Sequence, residues 1–282
     1  RGELMRTYYL EKMDKPKFSI RKYKIEEDNF VVYADLNKEK NVSKIIKVMI
    51  KNDIEYVVLS KTLTENKNFI NALNANNIKI FNGRWLEKYL TFEILEYVIN
   101  QKGIKKEETE IAITTNEITD LTIETIKILS KQYKKLIVVT NHIEKLRRVE
   151  KELYDNDGIL IVVANNTKKS LLKPKIILNL DFNMQVLNKY KINENAIIIN
   201  VEGDMKIRSK RFSGININNY EIVVGREENI WRENMSVFEH KDLLEATLYI
   251  RDTFNNIRRK IMKNKVSIKE LYGENGKIER FS

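Results

Sequence analysis

The residues of this chain best suited to chemistry are amide, hydroxyl and imidazole donors placed just after apolar, strand-like runs. Thr114, Thr115 and Asn116 follow Glu110–Ile111–Ala112–Ile113, Asn141 and His142 follow Val138-Val139-Thr140, and Asn165-Asn166-Thr167 follows the run ending at Ala164. Donors of this kind at the carboxyl edge of an open α/β sheet can take an anion. The first turn is also notable for what it lacks. It reads Thr114-Thr115-Asn116-Glu117-Ile118-Thr119, with no glycine, where a phosphate-cradling turn needs backbone that can approach the ligand closely. Glu117 adds a carboxylate that favours a following helix but repels a phosphate. Thr119 reads as the N-cap of that helix.

The elements that would position these residues follow from periodicity. Val42, Ile45, Ile46 and Met49 predict a helix over Val42–Ile50, followed by a strand at Ile54–Leu59, a helix at Asn68–Asn76 and a strand at Ile78–Phe81. Ahead of them, Phe18–Tyr23 and Phe30–Ala34 read as strands joined by a hairpin turn at Glu26-Glu27-Asp28-Asn29. Trp85–Gln101 reads as a connecting helix stopped at Gly103, with Trp85 a buried aromatic at its start. A second alternation runs through a strand at Ile111–Ile113, a helix at Asp120–Lys131, a strand at Leu136–Thr140 and a helix at Ile143–Leu153. Strands at Ile159–Ala164, Ile176–Leu180, Ala196–Asn200 and Tyr220–Val224 follow, apolar enough to be covered on both faces. A short helix is expected at Ser170–Lys173 and a long one at His240–Lys263, with Leu243, Ile250, Phe254, Ile257 and Ile261 as its apolar stripe. The expected architecture is α/β: two α/β units, the second a doubly wound, mostly parallel sheet, with a C-terminal helix packing back. The boundaries are placed at 1–104, 105–230 and 231–282.

Composition narrows the chemistry. The 282 residues contain no cysteine and only two histidines, which removes disulfides, thiolate metal sites and cysteine nucleophiles. No spaced acidic cluster compensates, so no metal is expected. Nine glycines stand where average usage near 7% would supply about twenty, and this argues against several ligand-wrapping loops. No apolar run approaches the roughly 18 residues a membrane span needs; the expectation is a soluble, cytoplasmic protein. No Ser-His-Asp order, P-loop, kinase signature or HExxH occurs.

The net charge of +11 admits a polyanion partner, although the enrichment in Lys, Asn and Ile runs through every segment. Two clusters carry that reading: Lys206, Arg208, Lys210 and Arg211 beside Phe212, and Arg251, Arg258, Arg259, Lys260, Lys263 and Lys265 near the end of the expected last helix. Phosphate tracking and base stacking on Phe212 are the chemistry they would supply.

From about Lys106 to Gly225 the chain resembles the NAD(P)-binding half of the shikimate dehydrogenase and glutamyl-tRNA reductase superfamily, a Rossmann-like domain. The resemblance lies in strand–helix order and in Asn141-His142-Ile143, where the family often reads Asn-Arg-Thr. Asn141 matches; His142 stands for the arginine that faces the 2′-phosphate in NADP-binding members, and Ile143 for the hydroxyl residue. The family's G-x-G-x-x-G, laid over the first turn, puts Thr114, Asn116 and Thr119 at the glycine positions. About twenty residues on, where an acidic residue holds the NAD ribose, the chain reads Val139-Thr140-Asn141. If NADP bound, His142, Lys145, Arg147 and Arg148 are the residues to meet its 2′-phosphate.

The reading is a non-catalytic or cofactor-lost Rossmann-like binding or interaction module, with an unidentified small molecule or protein as partner. Two alternatives remain open: an NADP-dependent two-domain oxidoreductase with an atypical phosphate turn, and a basic nucleic-acid-associated protein. No cofactor is expected in the first reading, and NADP in the second. Candidate binding residues are Thr114, Asn116, Asn141, His142, Asn165 and Thr167; no catalytic residue is assigned.

Overall fold

A computed structural model describes residues 6–16, 21–201, 203–225, 237–249 and 252–279. The chain begins with β1 (Thr7–Lys12), β2 (Tyr23–Glu26), β3 (Asn29–Val32), α1 (Glu39–Lys51), β4 (Tyr56–Leu59), α2 (Lys61–Thr64), α3 (Lys67–Ala75), β5 (Lys79–Phe81) and α4 (Arg84–Lys102). It continues with β6 (Glu110–Thr114), α5 (Asp120–Ser130), β7 (Lys135–Val139), α6 (Ile143–Asp157), β8 (Val162–Ala164), β9 (Ile176–Asn179), α7 (Met184–Leu187), β10 (Ile197–Asn200) and β11 (Ile215–Ile217). The last elements are β12 (Asn219–Val224), α8 (His240–Leu248), α9 (Phe254–Lys263), β13 (Val266–Gly273) and β14 (Gly276–Lys277). The chain divides into two compact units: residues 1–86 with 226–250, and residues 87–225 with 251–282.

In the first unit five strands run in the order β2-β3-β1-β4-β5. All pairs are parallel except the β2–β3 hairpin, whose turn holds Glu27 at a positive φ of 50°. Successive residues of β4 serve opposite faces, as strand geometry requires. Val57 packs with Leu10, Phe30, Ile45, Met49, Phe69 and Leu73 from β1, β3, α1 and α3, while Val58 packs with Phe81, Phe238 and Leu243. The second of these faces is the one α8 covers. The strand expected at Phe18–Tyr23 starts outside the described residues, and its visible part begins at Tyr23. Half-buried Trp85 meets Tyr249 edge-on, with ring centroids 5.2 Å apart.

The second unit is built on six parallel strands in the order β11-β10-β9-β6-β7-β8. Numbered by chain order within the sheet, this is 3-2-1-4-5-6, the doubly wound order of dinucleotide-binding domains; the unit is Rossmann-like. Ala112, Ile137, Val139, Ile177 and Ile198 face Leu171, Phe182, Leu187 and Tyr190. Ile111, Ile113, Val138 and Leu178, which alternate with them, are also fully buried, as a sheet covered on both faces demands. The helix ends obey local rules. Thr119 Oγ1 accepts from Thr122 N at 3.3 Å to cap α5. Gly103 and Gly158 take left-handed conformations after α4 and α6 (φ 60° and 66°).

Several elements differ from their sequence-based expectation. Tyr220–Val224 does not join the main sheet: β12 pairs antiparallel with β13 in a separate three-stranded sheet, and its burial alternates. The sixth strand of the main sheet is instead the three-residue β11. The long helix expected at His240–Lys263 is two helices, because Thr253 starts a new one, its hydroxyl accepting from Asn256 N at 3.3 Å; Ile250 and Arg251 lie outside the described residues. Ser170–Lys173 forms turns and an isolated bridge, Leu171 to Ile192, rather than a helix.

Candidate functional site

In a doubly wound sheet the ligand crevice opens at the carboxyl ends of the two strands from which the chain winds in opposite directions. Here these are β6 and β9, paired in register from Ile111 with Ile176 to Thr114 with Asn179. The residues just past them are Thr115-Asn116-Glu117 on one side and Leu180-Asp181 on the other.

These two turns are closed on each other by a carboxylate. Asn116 N lies 2.7 Å from Asp181 Oδ1 and 2.9 Å from Oδ2, and Glu117 N donates to Oδ2 at 2.8 Å. Thr115 Oγ1 lies 2.8 Å from the same oxygen. Successive backbone N–H groups converging in a turn form an anion-binding concavity, and hydrogen bonds to a carboxylate are among the stronger ones. The concavity after the first strand, which in dinucleotide-binding sheets faces pyrophosphate, holds the half-buried side chain of Asp181.

Behind this plug the strand ends are joined by a buried amide chain. Thr114 Oγ1 donates to Asn179 Oδ1 at 2.7 Å, and Phe182 N donates to the same oxygen at 3.0 Å. Asn179 Nδ2 donates to Phe182 O and to Asn200 Oδ1, both at 3.0 Å. Asn200 Nδ2 shares its protons among Asn216 Oδ1, Ile217 O and Asn218 Oδ1 at 2.8–3.0 Å. Asn218 in turn accepts from Met205 N at 3.0 Å. Thr114, Asn179, Asn200 and Asn218 are all buried, so a satisfied network is the condition for their tolerance there.

The residues expected to bind a ligand divide accordingly. Thr114 is fully buried and committed to Asn179. The backbone N–H of Asn116 goes to Asp181, and its side-chain oxygen accepts from Asn141 N at 3.0 Å. Asn116 and Asn141 are thus brought together. The buried phenol of Tyr190, its pKa pushed up by burial, stays a donor and lies 3.5 Å from Asn141 Oδ1. His142 is exposed at the N-cap position of α6, and its backbone N donates to Thr140 Oγ1 at 3.0 Å rather than its ring capping the helix. Lys145, Arg147 and Arg148 lie on the exposed face of α6. Asn165 and Thr167 are exposed beyond β8, and no hydrogen bond joins them to the Asn116–Asn141 pair among the described residues.

Asp181 and the asparagine chain were not singled out from sequence. A signal for the chain exists in the repeated Ile176-Ile177-Leu178-Asn179 and Ile197-Ile198-Ile199-Asn200: two apolar strands ending in the same amide. Their asparagines stand in register.

Of the basic clusters, the one on α9 is partly neutralised. Arg258 pairs with Glu93, and Lys260 with Asp252 at 3.1 Å. Phe212 is half-buried against the core of the second unit, so it is not a free stacking platform. Among the described residues no group of three or more His, Asp or Glu is placed to hold a metal. No described helix is long and apolar enough to cross a membrane.

No family model matches the sequence, and no curated protein matches it. Among solved structures, similarity is found to L-tryptophan dehydrogenase from Nostoc punctiforme, at 9% identity and a TM-score of 0.35, covering 67% of this chain and 56% of that one. A putative aspartate carbamoyltransferase from Trypanosoma cruzi aligns at 12% identity and a TM-score of 0.24, covering 69% of each chain. Likenesses at this level carry no functional argument. The class assignment, a Rossmann-like α/β protein, rests on strand order and parallel pairing.

Proposed function

We propose that this protein is a cofactor-lost, non-catalytic Rossmann-like binding or interaction module, whose dinucleotide phosphate turn is filled by its own carboxylate. The observation that carries this reading is the hold of Asp181 on Asn116 N, Glu117 N and Thr115 Oγ1. A pyrophosphate at that turn has to displace Asp181 and come close to Glu117 as well, and both like charges oppose it. Thr114 and Asn116 serve the interior in this reading, while Asn141, His142, Asn165 and Thr167 remain exposed toward any other ligand. Kinship with the NAD(P)-binding half of the shikimate dehydrogenase type belongs to the same proposal and rests on strand order and Asn141.

The test is a thermal-shift titration with NADP, NADPH, NAD and NADH, each at about millimolar concentration. A dissociation constant near 10 μM would stabilise the protein by roughly 2.7 kcal/mol at that concentration, raising the midpoint by about 5 °C or more. The proposal predicts no shift with any of the four. A selective shift with the phosphorylated cofactors would overturn it in favour of an NADP-dependent oxidoreductase.

A further inference from the structure

Beyond the plugged turn, the second unit carries exposed cations that two backbone stitches draw together. Asn188, at the end of α7, donates from Nδ2 to Lys206 O at 2.9 Å and accepts from Arg208 N at 2.8 Å. This fastens the segment that follows β10 beside Lys189. Two residues on, Lys191 N donates to Thr167 O at 2.7 Å, which brings the 189–191 segment against Lys168 and Lys169. Segments that are distant in sequence are therefore neighbours along one line of backbone contacts: Lys168 and Lys169 beside Lys189 and Lys191, and these beside Lys206, Arg208, Lys210 and Arg211.

Every one of these side chains is exposed, and none has an ion-pair partner among the described residues. In contrast, Arg258 and Lys260 on α9 are both paired. The acidic side chains nearest in sequence to the line are Asp204 and Glu194. Glu274, from the β13–β14 turn, accepts from Ile207 N at 3.0 Å and Asn216 Nδ2 at 3.1 Å. None of the exposed large apolar side chains falls within 167–169, 188–191 or 206–211; Leu172, whose N donates to Lys169 O at 3.3 Å, is a single one beside them. A protein partner is expected to find an apolar centre within a polar rim. A line of unpaired ammonium and guanidinium groups without such a centre matches instead a run of phosphates.

We infer that this line is a docking surface for the phosphate backbone of a nucleic acid, read without base specificity. Phe212 is packed away, so affinity comes from charge and not from stacking. The inference is independent of whether the β6 turn takes a dinucleotide, because it uses none of the residues around Asp181.

Fluorescence anisotropy with labelled 20-nucleotide single-stranded RNA and DNA of mixed sequence, at 50 and 200 mM salt, tests it. If about five of these cations meet phosphates, affinity falls by about a hundredfold between the two salts, with a slope near −0.7 per contact. A variant with Lys206, Arg208, Lys210 and Arg211 changed to Gln, and a second with Lys168 and Lys169 changed to Gln, should each weaken binding and flatten that slope. A control with the exposed Lys40, Lys44, Lys47 and Lys51 of α1 changed to Gln should bind like the parent. Polyglutamate of matched charge should compete at least tenfold less well than the oligonucleotide. The inference is overturned by absence of salt-sensitive binding to the parent protein, by equal losses in the control, or by polyglutamate competing as well as nucleic acid.

Discussion

The backbone N–H of Asn116 points at both oxygens of the Asp181 carboxylate, at 2.7 and 2.9 Å, across a separation of 65 residues. That contact joins the two turns where the sheet reverses its winding, and it puts an intrinsic anion where a dinucleotide fold normally recruits one. A turn without glycine can still present its N–H groups inward. It needs only an acceptor small enough and near enough to reach them, and an aspartate two residues past β9 is both.

Removing that acceptor should cost stability. Asp181→Ala leaves Asn116 N and Glu117 N without their shared partner, while Thr115 Oγ1 keeps Glu117 O at 2.8 Å, a loss of about 2 kcal/mol for hydrogen bonds to a charged group. At roughly 2–4 °C per kcal/mol for a chain of this order, differential scanning calorimetry should record a drop of about 4–8 °C. Added inorganic phosphate should recover part of it. A midpoint unchanged from the parent would mean that the carboxylate holds nothing.

The asparagine chain behind the plug should be less forgiving. Asn179→Ala strands Thr114 Oγ1, Phe182 N and one acceptor of Asn200, all buried. Buried groups left unpaired cost about 1–3 kcal/mol each, so urea unfolding should show a loss of about 3 kcal/mol or more. Restoring a motif glycine by Thr114→Gly should also destabilise, since it deletes the first link of the same chain.

Gly214, just before β11, is a position where size alone decides. A β-carbon there would lie 2.0 Å from the carbonyl oxygen of Ala196 and 2.9 Å from its N. Gly214→Ala must displace backbone of the main sheet, and overpacking of this kind costs about 3 kcal/mol. The midpoint of denaturant unfolding reads this out.

Stability should fall as pH rises from about 4 to about 8. On α8, burial pushes the carboxyl of Asp242 up to about 8, with Glu245 and Glu239 adding to the rise and Lys241 opposing it. Burial also pushes Glu245 up to about 7, against the backbone N–H groups of Gly83, Trp85 and Asn82 and the charge of Lys79. A raised folded-state pKa means the native state keeps a proton that the unfolded chain releases. The stabilisation is complete below the unfolded values near 4 and is lost through the folded ones, at about 1.4 kcal/mol per pH unit for each group. Asp242→Asn should flatten the pH dependence of the thermal midpoint between pH 5 and 8; an unchanged slope would contradict the assignment.

How much of this was legible in the sequence depends on the range of the interaction that decides each feature. The Thr119 cap, the helix stop at Gly103 and the alternation of strands and helices are fixed within a few residues, and all appear in the structure. β12 was misassigned because its partner is β13, a strand whose Lys269 and Glu270 obscure its pattern. The break between α8 and α9 turns on the capping hydroxyl of Thr253, which lies within a continuous apolar stripe. Asp181 was out of reach for the opposite reason to Thr119. Nothing in Leu180-Asp181-Phe182 marks it until the fold brings Asn116 alongside.

The most direct measurement follows the amide resonances of Asn116 and Glu117 in isotope-labelled protein while NADP and then NADPH are added to millimolar concentration. If Asp181 occupies the phosphate position, both amides stay in place in the parent protein and move only in Asp181→Ala. Saturable movement of the two amides in the parent would show that the turn admits the cofactor, and the plugged-site account would be wrong.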